Sequence, residues 1–260
     1  MKTEDIKITP QWTKGKEEIW SEVFSEINEK NTTLKIKQFS FLKYAAAAVF
    51  ALIIAGTSFV YLYTRTETAA SGVHIFVTLP DGSNVSLNAE SKIKYKPFLW
   101  FLFREVTLKG EACFEVVQGK KFTVKSGQNQ VKVLGTSFNV FARAEKYCVT
   151  CLSGKVEVFA NGENVILTPN KQATLRKGIM KIDEIDDAEQ SIGWMQNKFM
   201  FIGVPLSDVV KEIERQYDIR ISTTSNLDHI YTGNFSKSNN PEDILLIIGK
   251  PFGITFNIKK

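Results

Sequence analysis

From Tyr44 to Tyr63 the chain runs for 20 residues without a charge, a proline, an asparagine or a glutamine. As an α-helix rising 1.5 Å per residue, this stretch would be roughly 30 Å long, the thickness of a bilayer's hydrocarbon core. Eight Leu, Ile, Val or Phe side chains between Ala45 and Leu62 favour insertion by roughly 2 to 5 kcal/mol, with no charge to oppose them. Tyr44 at one end, and Tyr61 and Tyr63 at the other, stand where an interfacial aromatic belt would stand. A core helix rarely needs so long an uncharged run, and a signal peptide rarely carries a leader of 43 residues. Residues 44–63 are therefore expected to form one retained transmembrane helix, although Ala69-Ala70-Ser71 has the small side chains of a cleavage site.

The flanks give an orientation. Lys30, Lys35, Lys37 and Lys43 precede the span with no acid after residue 30, whereas Arg65 beyond it is partnered by Glu67. The positive-inside rule then puts residues 1–43 in the cytoplasm and exports everything from residue 66, in a bacterium across the inner membrane to the periplasm. Outside the span the composition is that of an ordinary folded chain, 43% apolar and 23% charged. Its net charge of +5 is spread along the chain, so no direct nucleic-acid partner is expected.

In the cytoplasmic segment Ile19, Trp20, Val23, Phe24 and Ile27 fall at helical spacing, with Lys16, Glu17, Glu18, Glu22 and Glu26 on the other face. A single short helix has no core in which to bury such a stripe. Interfacial helices carry mainly Lys and Arg on the polar face, and this one is largely acidic. A protein partner is the better cover, which makes Trp20, Val23, Phe24 and Ile27 the candidate contact residues.

Beyond the span the period changes to two. Val73-Ile75-Val77-Leu79, Val85-Leu87, Val106-Leu108, Phe114-Val116, Phe122-Val124, Val131-Val133, Phe138-Val140, Val156-Val158, Val165-Leu167 and Ala173-Leu175 alternate with mostly polar residues. Turn signals separate them at Asp81-Gly82, Gly110, Gly119, Ser126-Gly127, Gly154 and Asn161-Gly162. The expectation over 66–178 is a mainly β domain: a sandwich, a roll or a short β-solenoid. The run Phe98-Leu99-Trp100-Phe101-Leu102-Phe103 breaks the alternation. It reads either as a strand pair or loop packed over the core, or as an exposed hydrophobic tip meeting the bilayer or a partner.

An acidic stretch follows, so 179–197 is expected to be a linker. Residues 198–260 then read β-α-β-β-α-β, a small α+β module. Its first helix opens at Pro205 and its second at Asn240-Pro241-Glu242-Asp243, with cap, proline and first-turn acids. Such a module leaves at least one sheet edge for pairing with another small sheet. The candidate edge strands are Phe199–Phe201 and Tyr231–Phe235, so Phe199, Phe201, Tyr231 and Phe235 are the second set of candidate partner-binding residues. A module that merely packs on the β domain is the competing arrangement.

Chemistry is sparse. The three cysteines are an odd set, and Cys148 and Cys151, three apart on a predicted strand, would point to opposite faces. All three are expected to be buried fillers, with at most one pair involving Cys113 bridged. His74 and His229 are far apart and near neither Cys148 nor Cys151 in sequence, so neither a metal nor a cofactor is expected. No catalytic motif such as GxSxG, HExxH or a phosphate loop occurs, and the chain is not expected to be an enzyme.

Gly110-Glu111-Ala112-Cys113-Phe114-Glu115-Val116, Phe122-Thr123-Val124, Val133-Leu134-Gly135-Thr136-Ser137-Phe138-Asn139-Val140 and Gly154-Lys155-Val156-Glu157-Val158 resemble the motif series of FecR-type transmembrane anti-sigma regulators. The opening Leu79-Pro80-Asp81-Gly82-Ser83 and the later Leu167-Thr168-Pro169 also fit. The C-terminal module resembles the small domain usual in these regulators, itself similar to the signalling domain of TonB-dependent transducers and secretins. Cys113 stands where the family commonly has an aromatic, and the cytoplasmic part is shorter than in many relatives. The resemblance implies that residues 1–43 bind an extracytoplasmic-function sigma factor. It also implies that the exported part senses the signalling domain of a TonB-dependent outer-membrane transducer, and that membrane proteases act in or near the span. A membrane-tethered glycan-binding or envelope-scaffold domain is the alternative, and such a tether would have no use for the amphipathic cytoplasmic helix.

Overall fold

The structure, a computed structural model, describes residues 11, 13–29, 40–143 and 146–259. Lys30, Lys35 and Lys37, on which the expected orientation leans, lie outside the described residues, as does Lys260. The chain forms two compact units, Met1–Ile54 and Ala55–Lys260. The first contains helix α1, Lys16–Glu29, and the start of helix α2, Ser40–Leu62. Within α2 the stretch Lys43–Leu62 is long and apolar enough to cross a membrane, and none of it is covered by protein. That exposure removes the buried core helix as an account of it.

Only Tyr63 and Thr64 separate α2 from the first strand of the second unit, β1, Arg65–Ala69. It is followed by β2 Ile75–Thr78, β3 Asn84–Leu87, β4 Ser91–Tyr95, β5 Arg104–Glu115, β6 Phe122–Ser126 and β7 Asn129–Val133. Then come β8 Ser137–Arg143, β9 Lys146–Ser153, β10 Val156–Ala160, β11 Glu163–Leu167, β12 Lys171–Arg176 and β13 Ile179–Glu184. Of the three expected β architectures, the one formed is a roll: a single 13-stranded sheet curls into two layers. The layers share β5. Its first half pairs with β4 and, in parallel, with β6, while its second half pairs with β3 and β8. Strands β1, β7, β10 and β11 extend one layer, and β2, β9, β12 and β13 extend the other.

The expected strands around Val106-Leu108 and Phe114-Val116 are therefore one continuous strand, and Gly110 is a bend inside it rather than a turn between two. Gly110 has φ +108, and a Cβ there would lie 2.7 Å from the Ser91 Cα. Glycine alone supplies that backbone conformation and that close approach, and at this residue the strand's antiparallel partner changes from β4 to β8.

Leu87, Ile93, Phe114, Phe122, Phe138 and Leu167 are fully buried between the layers, each contributing about 1.5–3 kcal/mol of burial. Phe114 stacks on Phe138 with ring centroids 5.2 Å apart, and Phe122 meets Phe114 edge-on at 6.1 Å.

The expected linker is built into the fold. β13 pairs with β12 along its whole length. A 3-10 stretch, Ala188–Gln196, is then capped by the Asp187 carboxylate, which accepts from the Glu189 N–H, and ends at Asn197 with φ 55. The acids that suggested a linker are exposed or half-exposed, whereas Ala188 and Trp194 turn inward.

The C-terminal module has the expected order: β14 Lys198–Pro205, α3 Leu206–Tyr217, β15 Arg220–Ser222, β16 Ile230–Ser236, α4 Pro241–Gly249 and β17 Asn257–Lys259. Its strands make two ladders, β14 with β16 and β15 with β17. Leu206, Val209, Val210 and Ile213 of α3 and Ile244, Leu245 and Ile248 of α4 close a separate core. The Asn240 side chain caps α4 by accepting from the Glu242 N–H, as its sequence predicts.

Gly110→Ala should lower the unfolding free energy by about 1–3 kcal/mol, because it forces a non-glycine residue into a strained conformation against a neighbouring strand. Gly127→Ala, at φ +62 with nothing within 4 Å, should cost less. Urea denaturation of the purified protein checks this, and equal losses at the two positions would contradict the role given to Gly110.

Candidate interaction surfaces

α1 starts where the Gly15 carbonyl accepts from the N–H groups of Glu18 and Ile19, and Glu17 and Glu18 favour the positive end of its dipole. On its polar side Lys14 pairs with Glu22 at 2.9 Å. Its other face brings Trp20, Val23, Phe24 and Ile27 together, with the rings of Trp20 and Phe24 5.6 Å apart. These four side chains are 43–57% exposed, so nothing among the described residues covers the stripe.

The second candidate set lies differently. Phe199, Phe201 and Tyr231 are buried and Phe235 is half-buried, all in the module's own core. Phe199 meets Phe235 at 5.1 Å and Phe201 meets Tyr231 at 6.1 Å. What β14 and β16 turn outward is their backbone and the alternate residues. The ladder shifts register between Phe201 and Val204, where Gly203 has φ +61 and its N–H reaches the Thr232 hydroxyl at 3.0 Å. At this bulged end Ile202 and Ile230 are 71% and 64% exposed. Alternation with the inward Phe199 and Phe201 places Ile202 outward, and the bulge resets the faces only after it.

A third constellation was not expected from sequence. The outer face of β5, β8 and β9 is covered by the 3-10 stretch and by α3, and polar side chains make the seam. The Glu111 carboxylate accepts from Asn88 Nδ2 at 2.8 Å and from Asn139 Nδ2 at 2.9 Å. From α3, Gln216 donates to Asn88 Oδ1 at 2.6 Å and to Glu212 at 2.9 Å. His74 lies 3.0 Å from the Gln216 side-chain oxygen and edge-on to Trp194. Arg143 donates to the Ala89 carbonyl at 2.6 Å, and Arg176 reaches Asp208 of α3 at 3.1 Å. An open cleft of about 630 Å³ runs beside the seam, lined by Asn139, Arg143, Trp194, Lys211 and Glu212 among others.

Burial, reinforced by the nearby Glu212 charge, pushes the Glu111 carboxyl up. Burial would raise Glu212 as well, but Arg215 and Arg143 hold it below the usual carboxylate range. The two carboxyls are thus pushed in opposite directions. Burial lowers His74, so its ring is neutral in the seam. A sequence signal for this contact exists: the outward residues Asn88, Cys113, Asn139, Cys148 and Thr150 are uncharged where a solvent face would carry mainly Lys and Glu, leaving Glu111 as an isolated acid among them.

The three cysteines are free and buried, and burial pushes the Cys113 thiol up to about 12. Among the described residues no group of three or more His, Cys, Asp or Glu is placed to hold a metal ion.

Comparison with known proteins places this architecture. The family model for the FecR protein matches residues 64–157, and that for the FecR C-terminal region matches residues 198–260. No curated protein matches the chain. Among solved structures, two crystal structures of a candidate anti-sigma factor from Parabacteroides distasonis ATCC 8503 are similar. One has 31% identity and a TM-score of 0.72, covering 76% of this chain and 96% of its own. The other has 32% identity and a TM-score of 0.71, covering 75% and 95%. With nearly the whole of these relatives matched above 30% identity, and both family models in order over the roll and the module, the chain belongs to the FecR-type anti-sigma factors.

Proposed function

We propose that this anti-sigma factor crosses the inner membrane once, holds an extracytoplasmic-function sigma factor in the cytoplasm, and takes its signal in the periplasm from a TonB-dependent transducer. The α1 stripe carries this reading: four apolar side chains stand uncovered on a helix too short to be stable alone. In a chain of this family, a sigma factor is the partner such a face fits. Residues 1–43 are then the sigma-binding segment, 44–63 the membrane helix and 66–178 the periplasmic β domain. Residues 179–197, as β13 and the 3-10 stretch, complete the roll and lead into the receiving module, 198–260.

The join between α2 and β1 supports a relay, because two residues of slack let a displacement of the roll reach the helix end. Membrane proteases acting in or near the span would make that displacement irreversible. On the receiving side, the bulged end of β14 and β16, with Ile202 and Ile230, is the part of the candidate edge that offers side chains as well as backbone. A membrane-tethered glycan-binding or scaffold domain would leave the α1 stripe without a partner.

Trp20→Ala and Phe24→Ala should each weaken capture of the sigma factor at least about tenfold, since buried aromatic anchors commonly cost about 2 kcal/mol on truncation. Pull-down with the full-length protein measures this, and unchanged capture by both variants would place the contact elsewhere. Ile202→Asp combined with Ile230→Asp should lower affinity for the transducer's signalling domain by about tenfold or more without changing the urea midpoint, because both side chains are exposed. Undiminished binding would remove this end of the module from the mechanism.

A further inference from the structure

Pro97–Leu99 forms a single 3-10 turn and the chain stays tightly wound to Phe103. Trp100 is 4% exposed and fastens this turn to the roll, its ring edge-on to Tyr95 at 5.6 Å and to Phe122 at 5.8 Å. Its neighbours point the other way: Phe101, Leu102 and Phe103 are 70%, 59% and 60% exposed. Three consecutive apolar side chains held outward by a buried anchor cost solubility unless something covers them.

The same turn shows what covers it. Phe98 lies 5.2 Å from the ring of Tyr63 and 6.2 Å from the ring of Phe59. Phe59 is inside the apolar stretch that ends at Leu62, so Phe98 reaches a depth that belongs to the span itself. Lys96 sits over the Tyr61 ring at 4.4 Å, an arrangement suited to the headgroup level. Four amides of the turn, those of Leu99, Trp100, Leu102 and Phe103, donate back to the carbonyls of Lys96, Pro97 and Leu99. A segment entering a medium without water needs such internal pairing. Exposed Lys120 and Lys121 lie beside the turn, where the Arg104 side chain donates to the Lys120 carbonyl, and they suit anionic lipid.

We propose that Pro97–Phe103 is a lipid-embedded tip, with Phe98, Phe101, Leu102 and Phe103 seated in the bilayer leaflet from which α2 emerges. The proposal rests on α2 being a membrane span. The tip and the helix end then give the roll two points of attachment. They fix its tilt on the membrane and hold the Tyr63–Thr64 join against the surface.

The full-length protein in nanodiscs of phosphatidylethanolamine and phosphatidylglycerol tests this. A nitroxide is attached at Leu102→Cys, at Leu52→Cys in the span, or at Ile166→Cys on the exposed face of β11; the three native cysteines are buried. Relaxation by oxygen, which concentrates in lipid, is compared with relaxation by a water-soluble nickel chelate. The expected result is an oxygen-to-nickel ratio at position 102 shifted well above that at 166 and towards that at 52. A ratio at 102 equal to that at 166, with 52 still in lipid, overturns the tip and leaves the span intact. Aqueous ratios at both 52 and 102 overturn the span and the tip together.

Discussion

A helix with 19 consecutive uncharged residues, Tyr44–Leu62, cannot be left in water, and none of its apolar stretch is covered by the described residues. The membrane is the solvent that resolves this, and its surface then becomes the reference plane for everything after Leu62. With only Tyr63 and Thr64 before β1, the roll cannot swing freely from the bilayer. β1 pairs with β4, and β4 runs directly into the Pro97 turn. The strand that receives the helix is thus paired with the strand that presents the apolar tip.

The second constraint is the seam between the roll and the C-terminal module. It is built from amides and carboxylates rather than from aliphatic packing, and each buried polar atom in it is costly if its partner leaves. Glu111 is the extreme case: undocking α3 would return it to water, where a carboxyl ionises in its ordinary range.

Much of this was legible in the residues. The period of two read out the strands, Asn240-Pro241 marked a helix start that the structure caps as expected, and the order of the C-terminal module followed from its alternating signals. The misreadings have local causes. Gly110 looks like a turn because glycine punctuates most strands, but here it bends one strand across two layers. The acids of 179–197 suggested an open linker because the inward residues Ala188 and Trp194 are outnumbered by exposed charge. The seam was invisible to a rule that assigns polar residues of a strand to water. Phe199, Phe201, Tyr231 and Phe235 lie on β14 and β16, where their side chains serve the module's core.

Among the described residues that precede α2 there is one helix, α1, and its apolar stripe is uncovered. The account stands or falls on what covers it. Replacing Phe24 with a photo-reactive benzoylphenylalanine in living cells, then identifying the adduct by mass spectrometry, tests this most directly. The account predicts a covalent adduct with an extracytoplasmic-function sigma factor, and none when the same group is placed at Ile166. Adducts at position 24 confined to lipid, to a second copy of this chain or to proteins other than a sigma factor would contradict it.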